Sequence, residues 1–142
     1  MKNLKLITLA LTLATSSLNS HAESDPKKWP LVREAFFAQR PMEDAPFISF
    51  VAPRRAESGA QVPLEISIDQ TQADKNAIKT LYLLVDSNPI PMTATYHLTD
   101  KLGKFKLATR IRMEMDSYIR AVGETADGKL YLGSVEIRAA GG

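Results

Sequence analysis

The chain has 142 residues, 44% hydrophobic and 24% charged, with a net charge of +2 and no cysteine. The length suits one domain, and the balanced charge lacks the concentrated basic face of a nucleic-acid binder. Without cysteine these residues hold no disulfide framework, no thiolate nucleophile and no zinc–thiolate site.

Residues 1–5 are a short basic start, residues 6–14 are apolar apart from threonines, and small residues flank His21 in Ser20-His21-Ala22. That order predicts a Sec signal peptide over residues 1–22, cut after Ala22. The apolar run is only about nine residues, against the ~20 that a spanning helix needs, so no membrane anchor is expected. No Arg-Arg pair precedes it, which argues against twin-arginine export, and no cysteine follows to take a lipid. Cleavage removes Lys2 and Lys5, so the mature chain is formally neutral. It is expected in a bacterial periplasm.

Residues 25–39 are predicted helical. Pro30 sits in the first turn, where its missing N–H costs nothing. Leu31 with Ala35 and Val32 with Phe36 are spaced i, i+4, and Pro41 ends the run. Such a short helix depends on docking, here expected through Trp29, Val32 and Phe36.

The pattern then changes to period two. Residues 47–52 are a first strand, and 53–60 a turn. Val62, Leu64, Ile66 and Ile68 alternate with polar or small residues, as in a half-buried strand. Residues 71–76 form a polar loop. Residues 78–85 are the most apolar strand and are placed centrally, with Leu81 or Leu84 facing in. After the turn at Asp86-Ser87-Asn88-Pro89, Pro89 and Pro91 keep the shorter strand 92–98 away from a central position. Phe105, Leu107, Thr109, Ile111 and Met113 face one way, and Lys104, Lys106, Arg110 and Arg112 the other. A strand over 118–124 and the turn Ala126-Asp127-Gly128 follow. In the last strand Leu130 and Leu132 fall out of step with Val135 and Ile137, which predicts a β-bulge at Gly133-Ser134. The fold is expected to end at Ile137, with residues 138–142 a loose arm. About seven strands at regular spacing, plus one short N-terminal helix, predict an all-β, Ig-like β-sandwich without the Cys–Trp–Cys core of antibody domains.

Little in this inventory makes an enzyme, and none is expected. His97 is the one histidine outside the leader, too few for a triad or a multi-histidine metal site. Asp86-Ser87-Asn88 resembles the opening of a calcium loop but lacks the glycine and distal glutamate. It reads as a turn whose side chains bond their own backbone. Met113 and Met115 read as one core and one rim residue rather than a copper site. Glu43 and Asp44 lie in a loop before the first strand. No metal and no cofactor are expected. The stripe Lys104, Lys106, Arg110 and Arg112 is either a solvated sheet face or a surface for an acidic partner.

One ordered set of segments is more specific. It runs APRRAESGAQVPLEISI (52–68), LLVDSNPIP (83–91), TRIRM (109–113), DGKLY (127–131) and a final Gly-Gly. From Trp29 to Gly142 the chain resembles SoxY, the periplasmic sulfur-carrier subunit of thiosulfate oxidation. It is most similar to the SoxY half of SoxYZ-like carriers associated with quinoprotein dehydrogenases. The resemblance implies a heterodimer with a SoxZ-like sandwich, contacts with periplasmic Sox enzymes or a quinoprotein dehydrogenase, and a flexible arm, Gly-Gly-Cys-Gly-Gly in the family. Gly141 and Gly142 match its first two glycines, and the family cysteine is absent. The expected organisation is therefore a leader (1–22), a SoxY-like domain (23–138) and an arm (139–142). Two readings of the missing thiol stay open: a copy that stops short of its cysteine, or a thiol-free derivative that kept fold and partner surface. The alternative function is a non-catalytic Ig-like periplasmic binding or adaptor module.

Overall fold

The computed structural model describes residues 25–38 and 40–139. The expected leader cleavage site, Gly141 and Gly142 lie outside the described residues. The elements in chain order are α1 (Lys28–Phe37), β1 (Met42–Asp44), β2 (Ile48–Val51), β3 (Arg55–Ala56), β4 (Val62–Thr71), β5 (Ile78–Val85), β6 (Met92–His97), β7 (Lys104–Ile111), β8 (Ser117–Thr125) and β9 (Leu130–Ala139). They form three layers: the helix, a six-stranded sheet and a three-stranded sheet. The large sheet has the order β1-β9-β8-β5-β6, with β3 also on β9; the small one has the order β2-β4-β7.

The main core lies between the sheets. Val62, Leu64, Ile66 and Ile68 of β4, with Phe105 and Ile111 of β7, meet Leu81, Leu83 and Val85 of β5, Ile119 and Ala121 of β8, and Ile137 of β9. A smaller core lies on the other face of the large sheet, where Val32 and Phe37 of α1 cover Leu84, Val122 and Leu130. Strand β5 is hydrogen-bonded on both edges and buried on both faces. That explains its continuous apolar run and places it centrally, as expected. Strand β6, behind its two prolines, is the sheet edge.

Nine strands replace the expected seven. The extra two are β1 and β3, three and two residues long, both parallel to β9. Residues 42–56 start on the edge of β9, cross to the small sheet as β2, and return to β9 as β3. Glu43 and Asp44 are therefore strand residues, not loop.

Helix docking differs from the i, i+4 expectation. Phe37, not Phe36, is buried, and Phe36 and Leu31 are exposed. Trp29, Arg33 and Phe37 are spaced i, i+4, i+8, so the buried stripe is turned by one residue. Phe37 meets Tyr82 edge to face at 5.4 Å.

The expected bulge in β9 is absent. Pairing with β8 runs without a shift from Ser117↔Ile137 to Glu124↔Leu130. The apparent slip has another cause. Leu130 and Leu132 face the helix layer, whereas Val135 and Ile137 face the sandwich core. The apolar residues change sides because the covering layer changes. Gly133 sits where β2 crosses β9; a Cβ there would meet Ile48 Cγ2 at 3.0 Å and Phe50 Cε2 at 3.3 Å.

Candidate functional site

The end of β9 is held on both sides. Arg55 pairs with Arg138 and Ala56 with Ala139 in parallel register. The Arg138 N–H donates to the Arg54 carbonyl at 3.0 Å. The Ala139 N–H donates to Asp116 Oδ1 at 2.8 Å. Ile137 beneath them is fully buried. Arg138 and Ala139, expected in a loose arm, are thus strand residues, and ordered structure reaches at least Ala139. Arg54, Arg55, Glu136 and Arg138 line a cleft of about 430 Å³ at this end.

The basic stripe lies on β7, an edge strand of the small sheet, with Arg112 just past its end. Carboxylates interleave it. Lys104 reaches Asp69 at 2.6 Å, Lys106 reaches Glu65 at 2.8 Å and Arg112 reaches Glu114 at 2.9 Å. The hydrogen bond and charge of Lys104 hold the Asp69 carboxyl below its ordinary value, and Asp69 raises Lys104 in return. Arg110 is exposed on the same face. The stripe is therefore a mosaic of both signs, a weaker lure for an acidic surface than the four cations suggest.

The turn at Asp86 is present, closed by the Asn88 N–H donating to the Val85 carbonyl at 3.2 Å, but its Asp and Asn side chains bond other elements, contrary to expectation. Asp86 is buried, Arg120 Nε donates to its Oδ2 at 3.0 Å, and Arg120 Nη2 lies 3.0 Å from the same oxygen as an ion pair. The Arg120 guanidinium also stacks over the rings of Trp29 (4.8 Å) and Tyr118 (4.6 Å). Asn88 donates to the Arg112 carbonyl and accepts from the Glu114 N–H. Burial raises the Asp86 carboxyl above its ordinary range, with Arg120 pulling the other way. A second network, missed in the sequence, joins Arg40, Glu124 and Tyr82. Arg40 Nη2 donates to Glu124 Oε1 and to the Gly128 carbonyl, both at 2.6 Å, and the Tyr82 hydroxyl donates to Glu124 Oε2 at 2.8 Å. Both networks tie the helix and its exit to the large sheet.

His97 is exposed on the β6 edge, 3.4 Å from Thr80 Oγ1. Met113 is fully buried and Met115 exposed, the core-and-rim pair expected. Among the described residues no three His, Cys, Asp or Glu side chains gather as metal ligands, and no helix is long and apolar enough to cross a membrane.

Two facing sheets with a short N-terminal helix define an Ig-like β-sandwich. A family model described as "Sulfur oxidation protein SoxY" matches residues 33–142, and the chain belongs to that family. Among solved structures, it is similar to the sulfur carrier protein SoxY from Chlorobium limicola f thiosulfatophilum. Identity is 24%, coverage 79% of this chain and 91% of that one, and the TM-score 0.64. Two variants of the superoxide reductase (neelaredoxin) from Ignicoccus hospitalis share the fold at 12% and 11% identity, with TM-scores of 0.51 and 0.52. Each match covers 78% of this chain, and 92% and 87% of those chains. A comparison with curated protein sequences finds no match.

Proposed function

We propose that this chain is an exported, periplasmic SoxY-like carrier subunit of sulfur-compound oxidation that pairs with a SoxZ-like sandwich and presents a C-terminal arm. Membership of the SoxY family over residues 33–142 carries the reading. The anchoring of β9 through Ala139 supports it, because an arm works best from a rigid base that leaves its swing to the residues beyond. The 142 residues hold no cysteine. The thiolate that loads sulfur in such chemistry is therefore not among them.

Co-expression with a SoxZ-like protein tests the pairing. One heterodimer peak on size exclusion is expected, with an interface of about 1,200–2,000 Å²; two monomer peaks at micromolar concentration sink it. Intact mass of the exported chain should begin at Glu23. The chain as given should form no covalent adduct with thiosulfate and a Sox cytochrome. A variant extended by Cys-Gly-Gly after Gly142 should form one, and its failure to do so counts against the carrier reading.

A further inference from the structure

The cleft at the end of β9 brings together residues that the sequence separates by more than eighty positions. The parallel register sets Arg55 directly beside Arg138, and paired residues of neighbouring strands project to the same face. Arg54 joins them from the turn before β3, and the lining volume is about 430 Å³. Among the described residues Glu136 is the one carboxylate on that lining, and it is already engaged. Even with its charge set against one arginine, two guanidinium charges are left over.

We propose that this cleft is a binding site for a doubly charged tetrahedral oxoanion of the sulfate and thiosulfate type. Guanidinium groups present paired N–H donors that match two oxygens of such an ion, and two surplus positive charges match its two negative ones. The cleft is bounded by a two-residue strand, which offers an extended acidic peptide little backbone to pair with. It also lies beside the departure point of residues 140–142, which span at most about 10 Å when extended. A group tethered near them stays within reach of the arginines. The anion site stands without the carrier reading; only its use for tethered cargo rests on that reading.

The test is an NMR titration of the ¹⁵N-labelled full chain with sodium sulfate, thiosulfate, phosphate and chloride at constant ionic strength. Sulfate and thiosulfate should give saturable shifts at the amides of Arg54, Arg55, Arg138 and Ala139 and at the arginine Nε–H groups; chloride should not. Arg55→Gln should weaken binding about tenfold, the loss of one charge-assisted contact. Lys101→Gln, in another loop, should change nothing. Because Arg55 lies within the short strand β3, Arg54→Gln serves as a second variant, and the Ala56–Ala139 cross-strand signals report that pairing is intact. Linear shifts spread over all basic residues would overturn the proposal, as would undiminished binding in both arginine variants or saturation by phosphate alone. Tighter binding of an oligo-glutamate peptide than of either sulfur oxoanion would instead assign the cleft to an acidic partner. A failed adduct on the Cys-Gly-Gly variant leaves these results untouched, so the two readings fail separately.

Discussion

Asp86 and Arg120 meet at 3.0 Å on the helix-facing side of the large sheet, with side chains only 3% and 12% exposed. The pair sits under Trp29, so it joins the β5–β6 turn, β8 and α1 in one contact. Removing one partner strands a charge away from water. Arg120→Met should therefore destabilise by about 3–5 kcal/mol. Adding Asp86→Asn should recover more than half of that loss, because the uncompensated carboxylate is gone. Urea unfolding of the two single variants and the double variant measures the coupling. Additive losses would show that the pair does not act as a unit.

Glu124 sets an acid limit on stability. Burial pushes its carboxyl up, but the bonds from Arg40 and Tyr82 outweigh this and hold it below 4.5. A depressed folded value means stability that is present above 4.5 and is lost as pH falls through the folded value. Asp86 has the opposite sign: its raised folded value makes its contribution decline as pH rises above 3.8. Glu124→Gln should thus flatten the acid loss of stability, and Asp86→Asn should steepen it. Unfolding free energies across the acid range check both signs, and parallel curves for all three proteins would refute the assignment.

What was legible in the sequence follows from how many faces of each strand are wet. Strands β4 and β7 have one buried and one solvated face, so Val62 to Ile68 and Phe105 to Ile111 alternate cleanly. Strand β9 is covered by the helix at one end and the small sheet at the other, so its alternation looked like a bulge. Strands β1 and β3 are too short for any period and exist because β9 offers its edge. Phe36 and Phe37 lie about 100° apart on a helix, and both are apolar, so the sequence alone did not show which of the two turns inward. The site residues suffered most from distance. Asp86 finds its partner 34 residues away, and Arg55 lies opposite Arg138, pairings that only the sheet order reveals.

The exit of α1 is strained. Ala38 has φ 51° and ψ −143°, a region that disfavours a side chain, while its N–H closes on the Glu34 carbonyl at 3.0 Å. Glycine adopts this conformation readily. Ala38→Gly should therefore raise stability by about 1 kcal/mol, the lower end of what such strain costs. Thermal unfolding measures the gain. A lower Tm would mean that glycine's greater freedom in the unfolded chain outweighs the relieved strain.

Leu81 and Leu84 lie on one strand, both with 0% exposure, yet they serve different cores. Leu81 packs between the sheets and Leu84 packs under α1. Truncating either to alanine removes buried methyl groups and leaves a cavity, which costs about 2–5 kcal/mol. The consequences should differ in place. The helix is ten residues long and has no side-chain N-cap, so it depends on docking rather than on its own propensity. Leu84→Ala should loosen that docking before the sandwich unfolds. The single tryptophan, Trp29, reports it directly, because it belongs to the helix and packs against the same cluster. Its fluorescence should shift to the red at lower urea than the far-ultraviolet signal of the strands. Leu81→Ala should lower the midpoint of both signals together. Coincident transitions in Leu84→Ala would show that helix and sandwich unfold as one unit. A cost below about 1 kcal/mol at both sites would contradict full burial in tightly packed cores.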